Sequence, residues 1–344
     1  MPKITDAAGA YARTFIRVKR LFEDVAAGQP AEFRGLKRAV LSLAEAARAD
    51  EGRLLRLAAV RGYGDELPRH YTNVCVLSLC TGKRAGLSGR RLVHLGMAAL
   101  LHDIGRSGMP DDLFIGNSEP DDQALELLNT HPVTGFDLLL RLRGLEDDAV
   151  PEMLVAYEHH MNPDGTGYPP RKAERQPDVF SRIVRIADNY DSSTSSGVYG
   201  KLALRPDKAL ELMRKRSAGY YDLELLGAFA RMMGVYPVGS LLLLSDLTAC
   251  VVCESGGEGE GYARPVVRPV AKVPVPVDEP EGGEEGSSAE YGEGVEDEFP
   301  VGGGPPEDLS ERDASGRYVR NITGALDPSL CRMNVTAALL NFQL

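Results

Sequence analysis

The sequence predicts a mainly all-α protein with a small β subdomain toward its C-terminal end, and three observations carry that prediction. Apolar residues recur at spacings of three and four from Ala7 to Met233, the period of amphipathic helices. Strand-type alternation is nearly absent there and begins only after Pro237. Residues 278–308 then hold twelve carboxylates, eight glycines and four prolines with no Lys or Arg, a composition that cannot build a core.

Taken in order, a first helix is expected over residues 5–28, where Ala7, Tyr11, Phe15, Val18, Phe22 and Val25 form one stripe. Pro30 opens a second, ending near Ala49, and Asp50 is placed to cap a third that stops at Gly62 or Gly64. This N-terminal helical region, residues 1–62, reads either as a module for interaction or homodimer formation or as helices that extend the next domain. Over 63–235 the pattern predicts helices at 70–81, 88–102, 120–130, 131–143, 147–160, 182–193, 205–217 and 222–233. The runs SLLLLSD, TACVVCES and YARPVVRPVAKVPVPV are short, β-branched and bounded by turn residues, which makes 236–277 the β subdomain. An acidic flexible linker is expected over 278–313 and a weakly structured C-terminal return segment over 314–344.

Charge and composition exclude several classes. The 344 residues carry a net charge of -11, yet outside 278–308 the remaining 313 residues sum to +1, so the acidity belongs to one segment and not to the fold. No nucleic-acid partner is expected of a body so nearly neutral. The longest apolar runs, Leu95–Leu101 and Val238–Leu244, fall far short of the ~20 residues a membrane helix needs. With no apolar leader at the start, a cytoplasmic protein is expected. Five cysteines in a chain this long are not a disulfide scaffold, and Cys250 and Cys253, though spaced as CxxC, read as buried thiols of a strand.

The chemistry lies in the histidines. There are six: His70, His94, His102, His131, His159 and His160. Two of them open the adjacent pairs His102-Asp103 and His159-His160 at the ends of apolar helical runs, and Asp188 follows later in the same region. Imidazole nitrogens and carboxylate oxygens are the donor set suited to Fe, Mn or Zn, and a carboxylate can bridge two cations where a lone imidazole cannot.

The motifs Leu-Leu-His102-Asp103-Ile-Gly105-Arg106, His131-Pro132-Val-Thr-Gly135, His159-His160-Met-Asn-Pro-Asp164-Gly165-Thr-Gly167-Tyr168-Pro169 and Arg182-Ile-Val-Arg-Ile-Ala187-Asp188-Asn-Tyr190-Asp191 resemble, in order and spacing, the HD-GYP branch of the HD-domain metal phosphohydrolases. The likeness covers about residues 66–235 and implies an HD-domain helical bundle as the catalytic domain, 63–235. It implies a centre of two or three divalent ions, Fe or Mn, that hydrolyses cyclic di-GMP or a related cyclic dinucleotide to the linear dinucleotide or GMP. On that resemblance His70, His102, Asp103, His131, His159, His160 and Asp188 are metal ligands, Asp103 bridges, and Glu66 matches the extra ligand of trinuclear members. His94 is left over and reads as structural.

A phosphodiester is anionic and repels hydroxide, so cations must both neutralise it and supply a nucleophile near neutral pH; a metal-bridging hydroxide attacking in line is expected. Arg106 stands in the place of the family lysine that touches the substrate phosphate, and as a guanidinium it stays charged and can bind phosphate bidentately. Gly167, Tyr168 and Pro169 read locally as a tight loop, and the resemblance places that loop beside the site, with a GGDEF-domain protein as partner. Two departures matter. Met161 stands where the family commonly has Glu, and Gly197-Val198-Tyr199-Gly200-Lys201 replaces a run rich in arginine, leaving Lys201 or Arg205 to compensate. The alternatives are a catalytically weak or inactive signalling module that binds a nucleotide or a partner, and a nucleotidase of the wider superfamily.

Overall fold

The computed structural model describes residues 6–61, 65–110, 121–142, 149–170, 175–195, 202–255, 259–273, 303–328, 333 and 335–340. The chain divides into two compact units, one of Met1–Ala58, Tyr63–Leu204 and Lys208–Met232, the other of Ala59–Gly62, Arg205–Asp207 and Met233–Leu344.

The first unit is helical: α1 (Ala7–Ala26), α2 (Phe33–Ala49), α3 (Glu51–Ala59), α4 (Glu66–Arg84), α5 (Gly89–Leu101), α6 (Asp122–Leu128), α7 (His131–Arg141), α8 (Val150–Glu158), α9 (Val179–Thr194), α10 (Pro206–Lys215), α11 (Ser217–Tyr220) and α12 (Leu223–Met233). Helix α4 is its centre. Every residue from Arg69 to Gly82 is buried, as befits a helix covered all round, here by α1, α2, α5 and α9. Two of its buried hydroxyls are satisfied within the helix: Thr72 and Thr81 donate to the carbonyls of Pro68 and Leu77 at 2.8 and 2.7 Å. The helix starts at Glu66 and not at His70, so Pro68 lies in the first turn, where its missing N–H costs no helical bond.

The N-terminal helices fall in this unit, in keeping with the reading that they extend the next domain. Ala7, Ala10, Thr14, Val18 and Leu21 bury one face of α1, whose small residues let it lie closely on α2 and α4. Of the stripe expected on α1, Ala7 and Val18 are buried, and Ile16 is the large apolar residue of α1 left exposed. Among the described residues no helix is long and apolar enough to cross a membrane.

In the second unit β1 (Leu241–Leu244), β2 (Thr248–Glu254), β3 (Val266–Lys272), β4 (Glu307–Asp308) and β5 (Ile322–Leu326) form an antiparallel sheet in the order β4-β3-β2-β1-β5. Leu242, Leu244, Cys250, Val252, Val267 and Leu309 make its core, followed in sequence by helix α13 (Val335–Leu340). Cys250 and Cys253 are buried thiols of β2. Two expectations are corrected here. The linker assigned to 278–313 overlaps the sheet at Glu307 and Asp308, which pair with Val267 and Val266. Their carboxylates have partners, Glu307 with Arg320 at 3.2 Å and Asp308 with the Ser310 N–H at 2.8 Å, so an acidic pair sits at a sheet edge. The return segment likewise contributes β5, paired along β1. Residues 278–302 lie outside the described residues.

Candidate metal centre

Three helix ends and one helix pair build the site. Helix α5 delivers His102 as its C-terminal cap and Asp103 directly after it, followed by a 3-10 turn over Ile104–Arg106. Gly105 in that turn lets α7 approach: a Cβ there would stand 2.0 Å from the His131 carbonyl oxygen and 2.5 Å from the Gly135 nitrogen. His131, the first residue of α7, is brought beside Asp103 by that contact. Helix α8 ends in Glu158, and His159 and His160 follow. The buried Glu158 carboxylate accepts from the Asp178 N–H at 2.7 Å and the Ser181 hydroxyl at 2.9 Å, which ties the end of α8 to the start of α9. On α4 and α9, His70 faces Asp188 and Asp191.

The protons on these rings are fixed by their neighbours. Nδ1 of His102 lies 2.8 Å from the Ala99 carbonyl, that of His131 2.6 Å from Leu128, and that of His159 3.0 Å from Val155. A carbonyl only accepts, so each Nδ1 carries the proton and each Nε2 presents a lone pair. His70 is held in the same way by a carboxylate, its Nδ1 donating to Asp191 Oδ2 at 2.8 Å.

Those lone pairs converge. Nε2 of His102 and of His131 each lie 3.2 Å from an Asp103 oxygen, Nε2 of His159 lies at 3.5 Å, and the His131 and His159 Nε2 atoms are 3.1 Å apart. His102 Nε2, His160 Nε2 and both Asp103 oxygens are fully buried without a hydrogen bond. Acceptors packed against acceptors repel, and a cation among them turns that repulsion into coordination. The ligand atoms fall into two groups, Asp103 with His131, His159 and His160, and Asp103 with His70 and His102, each within 4.8 Å of one another. Asp103 belongs to both. The residues therefore fit divalent metal, with one carboxylate shared between two donor sets.

Electrostatics agree with that fit. Burial pushes His159 down to about 4 and His160 well below the ordinary imidazole value, and it lowers His131 as well, so these rings stay neutral. Burial alone would raise Asp103, but the Arg106 guanidinium holds it well below the carboxylate range. Asp188 is held down in the same way by His70, against its own burial. His70 is raised to about 9: burial opposes its charge, and the hydrogen bonds to Asp188 and Asp191 outweigh it.

The remaining expected residues are placed as follows. Arg106 is buried with its Nε 3.0 Å from Asp103 Oδ1, so its guanidinium faces the shared carboxylate. Tyr168 stacks on the His160 ring at 4.5 Å and meets the edge of His131 at 6.2 Å. Gly167 has φ +92°, and a Cβ there would meet the His160 carbonyl oxygen at 2.2 Å, so only glycine lets the loop close onto the histidine pair; Pro169 follows, buried. Glu66 lies one turn before His70 on α4, its Oε2 buried without a hydrogen bond, and belongs to neither ligand group. Lys201 lies outside the described residues. Arg205 pairs with Asp207 at 2.9 Å and donates to the Ala325 carbonyl at 2.7 Å, so its guanidinium is engaged within the second unit. His94 bonds Glu152 at 2.9 Å between α5 and α8, the structural role expected of it.

Sequence reasoning missed three contributors. Asp191 orients His70, Asn73 Nδ2 donates to Asp191 Oδ1 at 3.0 Å, and Arg185, one turn before Asp188, donates to the His159 carbonyl at 3.2 Å. Each lies three residues from a ligand on the same helix, the spacing that puts side chains on one face.

Bundle and cluster together define a helical metal-binding domain built on an adjacent His-Asp pair. The family model for the HD domain matches residues 22–225, and the chain belongs to that family. It is 29% identical over 280 residues to the cyclic di-GMP phosphodiesterase PA4108 of Pseudomonas aeruginosa, covering 80% of this chain and 66% of that protein. A cyclic di-GMP phosphodiesterase of Thermotoga maritima is 29% identical over 48% of this chain and 45% of its own. The 3'3'-cGAMP-specific phosphodiesterase 3 of Vibrio cholerae is 26% identical over 49% of this chain and 35% of its own. The chain thus spans less than two thirds of each of these curated relatives. Among solved structures, Bd1817, a HDG"Y"P protein from Bdellovibrio bacteriovorus, shares the fold with a TM-score of 0.54 at 17% identity, over 66% of this chain and 72% of that one.

Proposed function

We propose that the chain is a metal-dependent phosphodiesterase that hydrolyses cyclic di-GMP, or a related cyclic dinucleotide, to the linear dinucleotide or GMP. The observation that carries this reading is Asp103, one buried carboxylate shared by two groups of imidazole lone pairs. His70, His102, Asp103, His131, His159, His160 and Asp188 would hold two divalent ions, Fe or Mn, with Glu66 available to a third. Bound cations supply positive charge against the phosphodiester and a nucleophile at neutral pH. The chain's own residues do the rest. Nδ1–H bonds to backbone carbonyls aim the Nε2 atoms of His102, His131 and His159 inward, and Arg106 holds Asp103 ionised. That guanidinium also sets a permanent charge for a nonbridging phosphate oxygen. Tyr168, seated by Gly167 and Pro169, walls the side of His160. The same reading makes the Gly167–Pro169 loop the contact for a GGDEF-domain partner.

Support for the dinucleotide class comes from the names of the relatives, which include enzymes for cyclic di-GMP and for 3'3'-cGAMP. The test is to incubate the Mn-loaded protein, beside a His102→Ala, Asp103→Ala variant, with cyclic di-GMP and 3'3'-cGAMP and to follow products by chromatography. Turnover of at least one, abolished in the variant, is expected; metal-loaded protein that leaves both intact overturns the reading.

A further inference from the structure

The family match begins at residue 22, so Tyr11, in the second turn of α1, lies outside it. Its hydroxyl nevertheless starts a chain of hydrogen bonds that ends on a metal ligand. Tyr11 Oη donates to Asn73 Oδ1 at 2.6 Å, Asn73 Nδ2 donates to Asp191 Oδ1 at 3.0 Å, and His70 Nδ1 donates to Asp191 Oδ2 at 2.8 Å. Every direction in this chain is forced. An ionised carboxylate only accepts, so the Asn73 amide must turn its NH2 toward Asp191 and its oxygen toward Tyr11, and the phenol must therefore donate. Asn73, Asp191 and His70 are all buried, at 0%, 1% and 2% exposure, so water offers no substitute partner.

A second contact runs from the same helix to the same centre. Phe22 stacks on Tyr71 with ring centroids 4.4 Å apart, and the Tyr71 ring meets His102 edge-on at 5.8 Å. Tyr11 and Phe22 are eleven residues apart, three helical turns, and so lie on one face of α1. That face rests on α4 at two residues, Asn73 and Tyr71, each of which touches or orients a ligand.

We propose that Tyr11 is a positioning residue of the metal centre, and that α1 is the element through which a change upstream of the family domain alters metal affinity. The orientation of His70 depends on Asp191, that of Asp191 on Asn73, and that of Asn73 on a helix that the ligand motifs do not include. A shift of α1 that withdraws the phenol leaves the Asn73 oxygen buried and unpaired, and the amide, the carboxylate and the ring each lose a restraint in turn. The proposal rests on the reading of this cluster as a metal site.

The test uses the full chain and reads Mn2+ affinity by competition with a fluorescent chelator, for wild type, Tyr11→Phe, Asp191→Asn and the double variant. A partner that directly orients a ligand is worth about 10–100-fold in metal affinity, which is the loss expected for Asp191→Asn. Two bonds further out, Tyr11→Phe is expected to weaken affinity about 3–10-fold, and the double variant to be no weaker than Asp191→Asn alone. Asn73→Ser replaces Asp191→Asn as the second background if the latter does not fold. Tyr11→Phe that stays within twofold of wild type, or that loses the same factor in both backgrounds, overturns the proposal, since a merely structural contribution is additive. A His102→Ala control separates the two layers: if it too binds Mn2+ like wild type, the metal reading itself fails and the proposal with it.

Discussion

At the scale of single residues, His159 and His70 pull the chelated protein's stability in opposite directions. An unfolded imidazole titrates near 6.5, and burial beside His102 and His131 takes His159 down to about 4. The unfolded chain therefore gains its proton first, and stability is intact above about 6.5 and lost as pH falls toward 4. His70, raised to about 9, has the other sign: its contribution is complete below 6.5 and is lost as pH rises through 9. Melting temperatures in excess chelator should fall on the acid side of pH 6.5, and His159→Gln should flatten that limb. An acid limb equally steep in the variant contradicts the neutral-ring assignment. The same scale explains what could be read from sequence. His102-Asp103 stands out because a polar pair interrupts a run of Leu and Ala, whereas Asn73 and Tyr11 are residue types common on any helix, and only the fold shows what they face.

At the scale of elements, the site depends on how closely α7 meets the turn after α5. Gly105→Ala would put a methyl 2.0 Å from the His131 carbonyl oxygen, main chain that cannot swing aside. The helix must retreat, at a cost of about 1–3 kcal/mol, taking His131 from Asp103. We expect a lower melting temperature by differential scanning calorimetry together with a loss of at least tenfold in Mn2+ affinity. Unchanged affinity at reduced stability would mean that α7 is not what positions the ligand. Element by element, α7 begins at His131 as the spacing predicted, because a histidine-proline start is a local signal. The membership of α1 was not legible, since the period of a helix says which face is apolar and not which helix will cover it. Strand β4 was hidden for a related reason: Glu307-Asp308 reads as solvated charge, and its place beside β3 is set by partners more than thirty residues away.

At the scale of the whole molecule, metal and folding are linked. A cation that binds the native cluster and not the unfolded chain stabilises by RT ln(1 + [L]/Kd), about 2.7 kcal/mol at a hundredfold excess over Kd. Adding Mn2+ to chelated protein should raise the melting temperature of wild type and leave that of His102→Ala, Asp103→Ala where it was; an equal rise in both would assign the effect to sites elsewhere. The net charge of -11 bears on none of this, because most of it is carried by a stretch outside both the bundle and the described residues, while the centre sees Arg106, Asp103 and Asp188.

The backbone bonds to the histidine Nδ1 atoms have a kinetic meaning as well. Three of the rings are braced by carbonyls within a turn of their own position, so what aims them is the helix itself, and no side-chain substitution can remove the brace. A cage braced in this way leaves few torsions to be ordered when an ion binds. Its loading rate would then be governed by the exchange of water from the incoming ion, with no slower ordering phase, and the stripped protein could be recharged repeatedly without being refolded.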